Sequence, residues 1–195
     1  MSNILETESD RLLVAVRALL TAKQILTPEE VSERIKVTDA GSPAQGARMV
    51  AKAWVNPEYR ALMLRDGAVA AESLGITMRG LPPLGVLENT DAVHNLVVCT
   101  LCSCYPRGVL GYPPFWFKSA TYRARAVRDP RGLIGEWGTV LPEGMKIRVV
   151  DSTADYRWMV LPQRPAGTEG WSEEQLAAIV REGDMIGVTA PTVTK

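Results

Sequence analysis

Histidine is almost missing from this chain: His94 is the only one among 195 residues. Cysteine is scarce too. There are three, an odd number crowded into six positions, which excludes the disulfide framework of a small secreted protein. An excess of one charge is also lacking. Lys plus Arg is 22 and Asp plus Glu is 22, so the basic surplus that phosphate binding needs is absent and nucleic acid is not the expected partner. A formal charge of zero removes a solubility aid, which fits a chain that buries surface against a partner. No apolar run approaches the roughly 18 residues of a membrane span. Residues 1–10 are polar and acidic, without the basic start and apolar core of a signal peptide. The expected compartment is therefore the cytoplasm, with no membrane partner. Internal repeats and low-complexity segments are absent as well.

What is present reads as helices first and mixed elements later. Leu12, Leu13, Val16, Leu19 and Leu20 recur at helical spacing and predict a helix over 5–22. Thr27-Pro28-Glu29-Glu30 is a capping box with proline at the first helical position. A third helix is expected over 43–54. Asn56-Pro57-Glu58 starts another, carrying Tyr59, Leu62, Met63, Ala70 and Leu74 and stopped by Gly75. Leu81-Pro82-Pro83-Leu84-Gly85 reads as a rigid connector. Strands are expected at 93–98, 146–150, 157–161 and 185–188, with a helix over 120–129 and a capping box at Ser172–Gln175. The class is α+β, with a helical N-terminal arm over 1–80 and a metal-binding α+β domain over 81–195 that forms one structural unit with the arm.

The sulfurs carry the chemistry. Cys99-Thr100-Leu101-Cys102-Ser103-Cys104 ends a hydrophobic strand. Cys99 and Cys104 lie at most about 17 Å apart when extended, so sharing one ion requires the loop to fold back on itself. The peptide nitrogens of Ser103 and Cys104 then lie beside the sulfurs. Three thiolates and two ionised amides make five ligands and leave a sixth position open. Zinc brings the pKa of bound water from about 15.7 to about 7, and an amide needs at least comparable help. That demand favours a trivalent ion, iron(III) or cobalt(III), which thiolates suit by softness and charge. The spacing leaves other readings open: a Cys3His zinc site using His94, three unrelated buried cysteines, or a Cys-x-x-Cys exchange site. Strand alternation puts His94 on the face opposite Cys99, as a hydrogen-bonded structural residue.

At these residues the chain resembles the nitrile hydratase α-subunit family. The likeness extends to Ala53–Arg60, Glu88-Asn89-Thr90, Val93–Val98, Tyr122–Arg125, Arg128–Arg131, Ser172–Leu176 and Ile186–Val188. The resemblance implies a layered α-β-β-α domain behind the arm and an enzyme that hydrates a nitrile to its amide. It implies Cys99, Cys102 and Cys104 as sulfur ligands, completed by the backbone nitrogens of Ser103 and Cys104. It also implies oxidation of Cys102 to sulfinate and Cys104 to sulfenate. These two are the expected catalytic residues, the nucleophile being either the Cys104 oxygen or a hydroxide on the metal. Thr100 is the residue of cobalt members, so Co(III) is expected, with Fe(III) the alternative. The implied partners are a β subunit, as one chain or two, in an α2β2-type heteromer, a metallochaperone or activator, and a small nitrile. In the family, β-subunit arginines hold the sulfur-bound oxygens.

The sequence departs from the family where Arg107-Gly108 follow Tyr105-Pro106, and at Tyr112 and Phe115. Arg107 and Gly108 are expected to open or polarise the substrate pocket and favour a larger or more polar nitrile. Arg123, Arg125, Arg128 and Arg131 are candidates for orienting the claw loop or meeting the partner. Two competing functions remain: a γ-type subunit of thiocyanate hydrolase, and a non-catalytic zinc-binding module. Activity on thiocyanate separates the first, and metal analysis the second.

Overall fold

A computed structural model describes residues 7–193, and among them no helix is long and apolar enough to cross a membrane. The chain forms two compact units, one ending at Val37 and the other starting at Thr38. The first holds α1 (Glu8–Ala22) and most of α2 (Pro28–Ala40). Thr7 caps α1 in a capping box with Asp10; positions 5 and 6 of the expected helix lie outside the described residues. The Thr27 box forms as read: the Glu30 N–H donates to Thr27 Oγ1 at 3.1 Å, and the Thr27 N–H to Glu30 Oε2 at 2.7 Å. Neither helix contains a buried residue, and Leu12, Leu13, Val16 and Leu19 are exposed.

The second unit continues with α3 (Pro43–Val55), α4 (Pro57–Arg65) and α5 (Gly67–Glu72). The single helix expected after Asn56 is broken at Asp66, whose φ of −153° leaves the helix while its carboxylate accepts from the N–H groups of Ala68 and Val69. Two strands follow, β1 (Leu84–Glu88) and β2 (Val93–Val98). Short helices α6 (Arg107–Leu110) and α7 (Phe115–Lys118) then lead into α8 (Ala120–Arg128) and α9 (Pro130–Glu136). The chain closes with β3 (Lys146–Asp151), β4 (Arg157–Leu161), α10 (Glu173–Ala178) and a 3-10 turn at Glu182–Met185.

Both sheets are two-stranded and parallel. β1 pairs with β4 from Leu84↔Arg157 to Glu88↔Leu161, and β2 with β3 from Val93↔Lys146 to Val98↔Asp151. Helices α4 and α5 pack on β1, α8 on β2 and α9 on β3, and β2 meets β4 between the sheets. This is the expected α+β class in its α-β-β-α layering. The expected arm ran to residue 80, whereas the units divide at Val37. The reason is packing: α3–α5 send Met49, Val50, Ala53, Met63 and Ala70 into one hydrophobic core with the strands.

Two further elements differ from the sequence reading. The connector at 81–85 enters a strand at Leu84. The expected strand at 185–188 is instead the exit of a 3-10 turn. Gly187 there has a φ of +89°, in the left-handed region that favours glycine. The segment still runs beside β2, since the Val97 N–H donates to the Ile186 carbonyl at 2.8 Å.

Candidate metal centre

β2 delivers the first sulfur. Its core residues Leu96, Val97 and Val98 are buried, and the strand ends on Cys99, 1 % exposed. The loop then turns back at once. Cys99 Sγ lies 3.6 Å from Cys102 Sγ, and Cys102 Sγ lies 3.2 Å from Cys104 Sγ. All three sulfurs fall within 4.8 Å of one another. Cys104 is buried and Cys102 is exposed, so the cluster is closed behind and open in front.

These residues fit a single ion. With metal–sulfur bonds of about 2.3 Å, neighbouring sulfurs at right angles about the ion sit about 3.3 Å apart. The peptide nitrogens of Ser103 and Cys104 lie on the backbone between Cys102 and Cys104, whose sulfurs are 3.2 Å apart. The Cys102 N–H donates to Cys99 Sγ at 3.3 Å. The thiols are unequal without a metal. Hydrogen bonds from the Cys104 and Cys99 sulfurs, then from the loop amides, hold the Cys102 thiol below its usual value. Burial, then hydrogen bonding to Cys102 and Cys99, pushes Cys104 up to about 12. Metal binding at this site must displace protons.

His94 does not join the cluster. Its Nε2 is 2.8 Å from the Gly187 carbonyl and its Nδ1 is 3.2 Å from Asn89 Nδ2. Both ring nitrogens are engaged, so the Cys3His zinc site loses its fourth ligand. Asn89 and Asn95 extend this buried network beneath β2: Asn95 Nδ2 donates to the Glu88 carbonyl at 2.7 Å, and Arg148 Nε to Asn95 Oδ1 at 2.7 Å.

The loop is clamped from two sides. Asp151, at the end of β3 and in register with Val98, accepts the Thr100 N–H at 3.0 Å on Oδ1 and the Thr100 hydroxyl on Oδ2. From α8, Arg123 Nη1 donates to the carbonyls of Leu101 at 3.0 Å and Thr100 at 3.3 Å. Arg125 and Arg131 serve elsewhere. Arg125 pairs with Asp129 and Glu136 across the α8–α9 joint, and Arg131 donates to the carbonyls of Leu141, Pro142 and Met145. Behind the loop, Tyr105 stacks edge-on against Phe117 and donates to Glu182, while Tyr122 donates to the Val97 carbonyl. A cavity of about 310 Å³ beside the loop is lined by Thr100, Ala120, Arg123, Ala124, Val127 and Arg128.

Asp151 carries no signal in the sequence as a site residue; only the strand register brings it to Thr100. Partners that orient a metal loop typically contribute 10–100-fold to metal affinity or activity. Asp151→Ala is accordingly expected to weaken metal retention by roughly 10-fold or more, with Asp151→Asn milder because it keeps one acceptor. Competition with a chelator reads this directly, and an unchanged affinity in Asp151→Ala would refute the clamp.

Arg107 opens α6 and is exposed. Its guanidinium stands 5.5 Å from the Tyr112 ring centre, and Tyr112 donates to Asp39 at 2.8 Å. Gly108 is buried. A Cβ there would meet Leu81 and Met78 at 2.7 Å, so the room left by its missing side chain is taken up by packing and not by a pocket.

Residues 7–189 match the family described as nitrile hydratase, alpha chain. The chain is 47% identical over 179 residues to a low-molecular weight cobalt-containing nitrile hydratase subunit alpha of Rhodococcus rhodochrous, covering 91% of this chain and 86% of that one. It is 41% identical over 189 residues to the thiocyanate hydrolase subunit gamma of Thiobacillus thioparus, covering 91% of this chain and 78% of that one. Among solved structures, a recombinant thiocyanate hydrolase comprising partially modified cobalt centers superposes with a TM-score of 0.87 at 40% identity, covering 95% of this chain and 91% of that one. With the family match spanning the claw, its clamps and the layered core, the chain belongs to the nitrile hydratase α-chain family.

Proposed function

We propose that this chain is the metal-carrying subunit of a hydro-lyase that converts a nitrile and water into the corresponding amide. One observation carries the reading: three sulfurs within 4.8 Å of one another, with the peptide nitrogens of Ser103 and Cys104 between the last two of them along the chain. Cys99, Cys102 and Cys104, with the two backbone nitrogens, hold the ion, cobalt(III) in this reading and iron(III) in the alternative. When bound, that ion supplies Lewis acidity toward the nitrile or water. The chain's own residues do the rest. Buried Cys99 and Cys104 anchor the rear of the site, and exposed Cys102 faces the substrate side. Asp151 and Arg123 keep the loop in its folded-back shape. Cys104, as sulfenate, offers an oxygen to attack the nitrile carbon or accept a proton from water, and Cys102, as sulfinate, keeps its charge beside it.

The reading includes a β subunit, one chain or two, in an α2β2-type heteromer, and a metallochaperone that loads the claw. The open front of the cluster supports it, as does the apolar surface left exposed at Leu101 (85 %) and Phe115 (85 %). It also includes a cytoplasmic location, which suits three unpaired thiols. Assay of the complex purified with its companion tests the function: amide formation is expected, and a cobalt- or iron-loaded complex that hydrates no nitrile would refute it.

Arg107 favours a second reading of the substrate. An exposed guanidinium close in sequence to Cys104 suits a polar or anionic molecule, and thiocyanate is an anion with a nitrile-like carbon–nitrogen bond. Arg107→Trp is expected to shift preference toward small uncharged nitriles by roughly tenfold in kcat/KM, about 1.4 kcal/mol. Kinetics on thiocyanate, small and bulky nitriles decide, and an unchanged preference removes Arg107 from the pocket.

A further inference from the structure

Three buried side-chain polar atoms lack a hydrogen-bond partner among the described residues: Gln45 Oε1, Arg123 Nε and Arg157 Nη1. Buried polar atoms of this kind are rare and costly: the Gln45 oxygen calls for a donor, and the two arginine nitrogens each call for an acceptor. Arg123 already grips the claw loop through Nη1. Arg157 is the other arginine with an unpartnered nitrogen. The strands bring it to the claw. The Ser152 N–H donates to the Val98 carbonyl at 2.7 Å, just before Cys99. The Thr153 N–H donates to the Tyr156 carbonyl at 2.9 Å, closing a tight turn, and the Trp158 N–H donates to Ser152 Oγ at 3.1 Å. Arg157 leaves this turn as the first residue of β4, fixed by its own N–H to the Pro83 carbonyl at 2.9 Å. Its guanidinium stands near enough to Cys104 for the two groups' charges to interact.

The claw needs such a cation. Three sulfur anions and two ionised amides carry more negative charge than a trivalent ion neutralises. Oxidation to sulfinate and sulfenate leaves the sulfur groups anionic. Charge held in a half-buried site requires a partner.

We propose that Arg157 is this chain's own counter-ion for the claw, its free Nη1 donating to the oxygen that Cys104 bears as sulfenate. It is a positioning residue, acting through Cys104, and the proposal rests on the metal-claw reading. It divides the hold on the sulfur-bound oxygens between this chain, from behind, and the companion subunit, from the open face.

The test compares the wild-type complex with Arg157→Gln, Arg157→Met and Arg157→Lys, each expressed with its companion and cobalt. Peptide mass mapping counts oxygens on Cys104, metal analysis counts cobalt, and visible absorption reads the sulfur-to-metal charge-transfer band. Arg157→Gln is expected to lower the one-oxygen form of Cys104 by about tenfold and to move the band, with Arg157→Lys restoring most of both. Arg157→Met keeps the packing of the stem and carries the same expectation should the glutamine variant not assemble. Wild-type oxygen counts, band and cobalt in the uncharged variants overturn the proposal. So does a lysine variant as defective as they are, which would make Arg157 a structural part of β4. A wild type with neither cobalt nor iron and bare thiols would instead overturn the metal-claw reading itself.

Discussion

Cys104→Ala is expected to assemble with its companion and to lose both the metal and the activity. The substitution removes a ligand from a loop where only three side chains reach the ion, and it removes the oxygen-bearing sulfur as well. A Lewis-acid centre supplies several kcal/mol of transition-state stabilisation, so its loss corresponds to roughly a thousandfold or more in rate. The fold has less at stake. Cys104 is buried but small, and replacing its sulfur by hydrogen costs on the order of 1 kcal/mol. Circular dichroism and gel filtration of the complex are therefore expected to match the wild type while cobalt content falls to background. Retention of cobalt with activity within tenfold of wild type would rule out Cys104 as both ligand and catalytic group.

The largest expected loss of stability comes from a residue that touches no sulfur. Gly187→Ala puts a Cβ 1.9 Å from the Asn95 carbonyl oxygen and 3.2 Å from Leu96 Cα, at a φ of +89°. Both contacts are backbone of β2, which cannot move without disturbing the strand that delivers Cys99. The Gly187 carbonyl also accepts from His94, and the neighbouring Ile186 carbonyl accepts from Val97. The expected cost is about 4 kcal/mol or more, the upper end for a single substitution. At about 2–4 °C per kcal/mol for a chain of this size, the melting temperature should drop by roughly 10 °C. Gly138→Ala is the control. Its φ of +86° is similar, but nothing lies within 4 Å of the added carbon, so only a backbone cost of about 1 kcal/mol remains. Equal melting temperatures for the two variants would show that steric pressure on β2 is not what Gly187 relieves.

Features set by neighbouring residues were legible. The capping boxes at Thr27 and Ser172 and the Asn56 cap formed where the local pattern placed them, because each is satisfied within three residues. The strand over 93–98 was readable from its apolar run, and the claw from the crowding of its sulfurs. Features set by distant partners were hidden. β1 looked like a connector because Pro82, Pro83 and Gly85 weaken any strand pattern, yet Gly85 is where the rings of Trp158 and Tyr156 close over the sheet. Met185, Ile186 and Val188 are buried and apolar like a strand, but Gly187 turns the chain between them. Asp151 and Arg157 are ordinary residues in sequence. They become part of the site only because β3 lies in register with β2 and the turn after it is fastened to Val98.

The central claim is that one loop wraps a trivalent ion with sulfur and peptide nitrogen. Metal analysis combined with intact-mass measurement on the complex, purified with its companion, tests it most directly. The account predicts cobalt, or iron in its place, at one ion per chain, with the mass of this chain raised by two oxygens on Cys102 and one on Cys104. Zinc with three unmodified thiols, or turnover by a protein holding neither cobalt nor iron, would contradict it.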